Sequence, residues 1–361
     1  MSADSNDRSA LATTREDIAR LHTFEHWPAM KLWPLIFAMI GLTIAAGLVP
    51  WSNWPLLLVI WPILGTVLFV LVIAFHDASH DRLHPVYWMN EMFGHITGTL
   101  SLVPLDVYRY AHARHHAYLG TPDDPELWPF NEPKIGRVRR VLAAFFEITL
   151  GFIYSPLLFL RAVLVGEVTP RERKRIWRGY VACVVTWALI LGVVDYFGDW
   201  RLLIVTGIVP MAISAFLQTI NKFTQHLGLH GHTVLGMTRT VVDEHPAGAV
   251  VSSAMFFNDY HGTHHRYAKI PYYNLPAATP YTLAGAQEFC PVYANLAYAF
   301  FAMVLHLLNP KAGPQWIEGE NWRARRKAVV KQAGVAADPV ATAVVPVPAA
   351  ATSPADAKQL A

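Results

Sequence analysis

Long apolar runs separated by short polar breaks set the pattern of this chain. The first run covers Leu32 to Val49, and Pro50-Trp-Ser-Asn-Trp-Pro55 interrupts it before a second run from Leu56 to Phe75. Each approaches the roughly 20 residues needed to span a bilayer, so the pair predicts a transmembrane hairpin. The linker holds tryptophans and no charge, as suits an interfacial turn on the non-cytoplasmic side. A second pair repeats the plan at about Tyr180 to Phe197 and Leu202 to Phe223, joined by Gly198-Asp-Trp-Arg201. Weaker runs lie around these pairs. Residues 92–105 hold Gly94, Gly98 and Pro104, too short and broken to cross, and are expected to be re-entrant or interfacial. Residues 291–308 are apolar enough to lie on the membrane or dip into it. The pattern predicts an all-α integral membrane protein with four transmembrane helices in two hairpins. Its expected divisions are a polar cytosolic segment (1–30), the membrane domain (31–310), a basic cytosolic segment (311–332) and a disordered Ala/Pro/Val-rich tail (333–361).

Composition agrees with the membrane class. Hydrophobic residues make up 53% of the chain and charged residues only 15%, against about a quarter in soluble domains. No apolar h-region is present in the first 25 or so residues, so no cleavable signal peptide is expected. A net charge of +3 is too mild to imply nucleic acid. Cys183 and Cys290 cannot supply a four-cysteine iron–sulfur or rubredoxin-type site, and Cys183 lies in an apolar run where a disulfide is not expected.

The distribution of charge predicts orientation. Basic loops at 109–140, 161–178 and 322–331 are expected on the cytoplasmic side, and the two tight hairpin turns outside. The expected location is the bacterial inner membrane. The 141–165 run is apolar but cationic at both ends. Histidine-rich segments on either side of it must meet, so an even number of crossings separates them. The pair at 180–197 and 202–223 already provides two, so 141–165 is expected to lie in the interface or to dip in and return.

Those histidines are the candidate chemistry. His76-Asp-Ala-Ser-His80 ends the second run; His112-Ala-Arg-His115-His116 and His261-Gly-Thr-His264-His265 answer it. Residues three and four apart share a helical face, so each segment points its imidazoles one way. Eight imidazoles exceed what one zinc takes, and they suit two metal ions, for which iron is well matched. His84 continues the face of the first segment but precedes Pro85, and it stays an open alternative. His95 reads as a hydrogen-bonded polar residue, and His22 and His26 as interfacial. The second segment runs into Gly120-Thr-Pro-Asp123-Asp124-Pro-Glu126, where Asp123 or Asp124 is placed to orient an imidazole from behind; the alternative is an ordinary turn aspartate.

These segments resemble the three histidine boxes of the membrane fatty acid desaturase superfamily, which also contains alkane hydroxylases and carotenoid hydroxylases and ketolases. The resemblance extends through His115-His-Ala-Tyr-Leu-Gly-Thr-Pro-Asp-Asp-Pro-Glu126, through Phe257-Asn-Asp-Tyr-His-Gly-Thr-His-His265 and through Pro271-Tyr-Tyr-Asn-Leu-Pro276. It implies a di-iron centre on a cytosolic cap, with O2 as co-substrate and a lipid or acyl chain as substrate. Breaking an alkyl C–H bond needs a redox-active metal, which zinc is not. The family also supplies a lone histidine after the fourth transmembrane helix. By parallel with His76, this is expected to be His226, in Gln225-His226-Leu-Gly-Leu229, which looks like the EHxGL segment of alkane hydroxylases. Those relatives have an asparagine four residues earlier, where this chain has Lys222. His230 is the rival, sharing a face with His226 if the helix continues past Gly228; His232 is expected to be solvated.

The expected reaction is O2-dependent desaturation of a fatty acyl chain, as acyl-lipid or acyl-CoA. A di-iron hydroxylase or ketolase of an alkane, carotenoid or other lipid is the alternative, because the same centre serves both. A metal transporter is disfavoured, since its ligands belong near the bilayer midplane rather than at helix ends. The chain shows no Gly-rich nucleotide fingerprint and no iron–sulfur site. A separate electron donor (ferredoxin, rubredoxin or cytochrome b5) with its reductase is therefore expected to dock on the basic cytoplasmic loops in a salt-sensitive way.

Overall fold

A computed structural model describes residues 16–286 and 288–317. The basic stretch Arg323 to Lys331 and the Ala/Pro/Val-rich tail lie outside the described residues. The architecture is helical, as the apolar patterning predicts, with one minimal parallel pairing of Thr240 with Val292 and Val241 with Tyr293.

The first hairpin is formed by α1 (Leu32–Leu48) and α2 (Leu57–Ser79), with a tight 3-10 turn at Trp51–Leu56 between them. Next come α3 (Tyr87–Leu100) and α4 (Leu105–Tyr118), then α5 (Arg137–Val165). The second hairpin is α6 (Pro170–Phe197) and α7 (Trp200–His226). Thr169 starts α6 with a capping box in which Glu172 reciprocates, and Gly198 ends it in the left-handed conformation (φ 66°). The outward faces of α1 and α6 are apolar and exposed, including Phe37, Ile44, Val184 and Leu189, as lipid-facing helices require.

By length and composition, the helices able to cross a membrane are Trp51–Ser79, Arg137–Val165, Pro170–Phe197 and Trp200–His226; α1 is shorter, at 17 residues. At 1.5 Å per residue α1 still extends about 25 Å, nearly the hydrocarbon thickness, and it pairs with α2. The α5 helix is different. It is one helix rather than a dip and return, kinked where Leu150 leaves helical dihedrals (φ −128°, ψ 32°). Both of its ends touch the histidine-bearing end of the molecule. At the start, Arg140 Nε donates to Pro310 O (2.8 Å); just past the finish, Tyr110 Oη of α4 donates to Glu167 O (3.0 Å). In between, Gly151 allows α5 to approach α7, since a Cβ there would lie 3.1 Å from Thr219 Oγ1. The α5 helix is therefore long and apolar enough to cross, yet both of its ends contact residues of the histidine-bearing cap. The expected 92–105 element is α3 with the turn into α4, and its Gly98 leaves room for Val103 O, which a Cβ would meet at 2.6 Å.

After α7, the chain stays on the same side. The short helix His261–Arg266 carries the third box, and the helix Leu296–Val304 packs Met303 beside Phe223 of α7 in one apolar cluster. That last helix has nine residues, too few to cross. The N-terminal segment is tied to the cap through Tyr272 Oη, which donates to Pro28 O (2.7 Å), and Asn274 Nδ2, which donates to Leu21 O (2.9 Å).

Candidate metal centre

All three boxes and His226 converge at the C-terminal ends of α2 and α7. Their imidazoles form two adjoining clusters, each with its ligand-type atoms within 4.8 Å of one another. The first is His76, His80, His112, His116 and His264; the second is His115, His226, His261 and His265. The boxes interleave. His112 and His116, one turn apart on α4, face the first cluster, whereas His115 between them faces the second. His261 and His265 face the second cluster, and His264 the first. The stacked rings of His116 and His265 (centroids 4.1 Å apart, planes 18° apart) join the two.

Nitrogen atoms face each other across both clusters. His112 Nε2 and His116 Nε2 are 3.1 Å apart, and His226 Nε2 and His261 Nε2 are 2.8 Å apart. Four rings are oriented from behind. His76 Nδ1 donates to Asp77 Oδ1 (3.1 Å), His112 Nδ1 to Glu126 Oε1 (2.9 Å), His115 Nδ1 to Asp124 Oδ2 (2.9 Å) and His226 Nδ1 to Met237 O (3.2 Å). With Nδ1 carrying the proton, a neutral ring keeps its Nε2 lone pair for the centre of the cluster. Burial, and then the neighbouring imidazoles, hold His80, His112, His115, His116, His261, His264 and His265 well below the ordinary histidine pKa, so these rings are neutral. The buried His76 Nε2 and His80 Nε2 have no hydrogen-bond partner. Buried nitrogens left without a partner are costly, and a cation in the first cluster would satisfy these two; the second cluster gathers four imidazoles whose nitrogens can meet a cation of its own. The residues thus fit two metal ions.

The turn after box two separates the two aspartates considered from sequence. Asp124, fully buried, meets His115, and it also accepts from the amides of Gly120, Glu126 and Leu127. Asp123 is only half-buried, and its backbone amide contacts Thr121 Oγ1 (3.4 Å). Glu126 was legible only as the end of that segment, and Asp77 only as a letter inside the first box. Burial pushes Glu126 up to about 7, opposed by the nearby Lys222 ammonium. Lys222, at the position where the alkane hydroxylases have an asparagine, forms an ion pair with Glu147 of α5 and donates to Glu126 O (3.3 Å). Asn221 reaches Asn258 instead (2.9 Å). Tyr108, which sequence reasoning did not single out, stacks on His112 with centroids 5.0 Å apart.

Histidines outside the clusters have other partners. Helix α2 ends at Ser79 and Asp81 takes φ 60°, so His84 leaves the helical face it was expected to share. Its Nδ1 accepts from the Val86 amide (3.0 Å). Helix α7 ends at His226, Leu227 is extended and Gly228 has φ 83°, which removes His230 from the face of His226. His95 lies 3.7 Å from Glu91, and His22 Nδ1 donates to Ile18 O (2.8 Å).

The sequence profile of the fatty acid desaturase family matches residues 52–297, which contain every element of both clusters. The chain belongs to the fatty acid desaturase family. Members of this family are oxidoreductases that use O2 and an external electron donor, and the membrane helices and histidine clusters fit that class. Among individual relatives, the chain is 25% identical to a probable fatty acid desaturase of Sorghum bicolor, over 72% of this chain and 71% of the relative. It is 28% identical to an acyl-lipid omega-3 desaturase (cytochrome b5) of the endoplasmic reticulum of Arabidopsis thaliana, over 68% and 67%. It is 26% identical to an sn-1 acyl-lipid omega-3 desaturase (ferredoxin) of Nostoc sp. (strain 36), over 67% and 71%. The chain spans 64% of the length of an omega-3 fatty acid desaturase of Vigna radiata.

Proposed function

We propose that this protein introduces a double bond into a fatty acyl chain of a membrane lipid. Two iron ions would be held at the inner face of the membrane: His76, His80, His112, His116 and His264 would bind one, and His115, His226, His261 and His265 the other. The observation that carries this reading is the pair of adjoining imidazole clusters at the C-terminal ends of the second helix of each apolar hairpin. Imidazole is a good ligand for iron, and an all-imidazole set without thiolate matches a divalent first-row metal. When bound, iron supplies the redox chemistry that activates O2. One O2, two electrons and two protons take two hydrogens from the alkyl chain and leave two waters and a carbon–carbon double bond.

The chain's own groups prepare that reaction. Asp77, Glu126 and Asp124 keep the Nδ1 protons of His76, His112 and His115 in place and the Nε2 atoms aimed inward. Lys222 and Glu147 brace the loop that carries Glu126 against α5 and α7. The relatives named for acyl-lipid substrates, and for ferredoxin or cytochrome b5, support a lipid-bound acyl chain and a separate one-electron donor. The cationic loops support a cytoplasmic site, and we assign the protein to a bacterial inner membrane.

Expression in a host of known lipid composition, followed by mass spectrometry of fatty acids and intact lipids, tests the reading. A product two mass units lighter is expected. A product heavier by one oxygen would replace desaturation with hydroxylation, and stoichiometric zinc after iron-replete expression would overturn the metal assignment.

A further inference from the structure

Two carboxylates stand behind the first cluster, Asp77 on His76 and Glu126 on His112, and one behind the second, Asp124 on His115. In the second cluster His226 instead meets a neutral carbonyl, Met237 O (3.2 Å), and the buried Nδ1 atoms of His261 and His265 have no partner. Beyond Met237 the chain runs along the end of α7. Arg239 N donates to Gln225 O (2.8 Å) and Arg239 Nη1 to Thr224 O (3.0 Å), which places this side chain against the last turn before His226.

Arg239 is only 3% exposed, and its Nε has no hydrogen-bond partner. Among the described residues it pairs with no carboxylate; the side chain it meets is the phenol of Tyr293. A guanidinium stays charged when buried, and a charge held in the interior without a counterion is costly. Its field is felt at His226 and at His306. The other cation near His226 is offset, because Lys222 is ion-paired with Glu147. Capping the last carbonyls of α7 would not by itself require a charge, since a neutral amide also supplies an N–H donor.

We infer that Arg239 makes the two metal sites unequal: its buried, unpaired charge holds the iron of the second cluster ferrous at potentials that oxidise the iron of the first. The inference rests on the two-iron desaturase reading. Each iron gives up one electron in passing from Fe2+ to Fe3+. A fixed positive charge nearby opposes that loss, whereas the two carboxylates behind the first cluster favour it. At an effective dielectric constant of about 20, a unit charge about 10 Å away changes such an equilibrium roughly tenfold. Of the two electrons that an external donor supplies, the first therefore reduces the second cluster and the next reduces the first.

The test uses the full chain in phosphatidylcholine nanodiscs, loaded with the Mössbauer isotope of iron. A mediated potentiometric titration between dithionite and ferricyanide, with Mössbauer spectra of frozen samples, counts ferrous and ferric iron at each potential. The parent is expected to oxidise in two one-electron steps. Arg239→Gln keeps an N–H donor for Thr224 O but removes the charge. It should lower the upper potential by about 59 mV or more, a tenfold change in a one-electron equilibrium, and move the lower one less. Arg239→Lys keeps the charge and should keep the upper potential. If Arg239→Gln does not fold or does not load two irons, His306→Glu brings a carboxylate near Arg239 from a half-buried position. That variant should shift the upper potential in the same direction, and His306→Gln should not. Unchanged potentials in Arg239→Gln and His306→Glu, equal shifts of both steps, or an Arg239→Lys variant that behaves like Arg239→Gln would overturn the assignment. So would a parent that loses both electrons in one step. Failure of the desaturase reading is seen separately, as a parent that binds fewer than two irons or forms no unsaturated product from any lipid with O2.

Discussion

Replacing Asp124 by asparagine isolates one bond behind the second cluster. Asp124 Oδ2 accepts from His115 Nδ1 (2.9 Å) and Gly120 N (2.9 Å), while Oδ1 accepts from Glu126 N (3.0 Å) and Leu127 N (3.4 Å). Asparagine keeps the shape but has one acceptor oxygen. Whichever way the amide lies, its NH2 faces N–H donors that the carboxylate had satisfied. The backbone turn is the more rigid claimant, so the oxygen is expected to serve Glu126 and Leu127, and His115 loses its acceptor. A buried donor left unpaired costs about 1–3 kcal/mol. Loss of a partner behind a metal-bound histidine weakens metal binding by about 10–100-fold, equivalent to roughly 1.4–2.7 kcal/mol. The two costs describe the same lost bond and agree in size. Competitive titration with a ferrous chelator should therefore remove one of two irons from Asp124→Asn at a chelator concentration the parent withstands, with membrane insertion unchanged. Asp123→Asn should keep both. If Asp124→Asn holds both irons as tightly as the parent while Asp123→Asn loses one, the assignment of Asp124 to His115 is wrong.

Three further outcomes are expected. His226→Ala should lose the iron of the second cluster and all product, while His230→Ala keeps both; iron analysis with lipid profiling reads this directly. Stripping the metal should lower the thermal midpoint in detergent, because iron at 100 times its dissociation constant stabilises by about 2.7 kcal/mol per site; ferrous iron should restore the midpoint and magnesium should not. Gly262→Val should destabilise by about 1–3 kcal/mol and lower the same midpoint, since a Cβ at Gly262 would lie 2.6 Å from Thr240 Oγ1. A midpoint equal to the parent's would mean that the third-box helix is not seated against residues 238–240.

The features legible in the sequence are those set by local geometry and by transfer from water to lipid. Uninterrupted apolar runs have to be helices in a bilayer, because each backbone N–H and C=O needs a partner within its own segment. Two hairpins, their tight turns and the helical face of each box follow from that constraint. The meeting of the boxes on the two flanks of 141–165 followed as well, whereas the dip and return expected there is replaced by one kinked helix. His226 was reachable because α7 repeats the plan of α2.

Tertiary structure decided what the spacings leave open. Along a helix each residue turns by about 100°, so the imidazoles of an HxxHH segment fan across about that angle, enough to face two metal ions. Which ring faces which ion depends on where the other helices arrive, and that placed His115 with His226 while its neighbour His116 joined His80. The loop carboxylates are a similar case. Asp123 and Asp124 are adjacent and chemically alike, yet only the fold of the Gly120–Glu126 turn buries Asp124 against His115. His84 and His230 kept the helical spacing in sequence but lost it to chain reversals at Asp81 and Gly228. Local periodicity holds only while the helix lasts, and the packing of the cap determines where it stops.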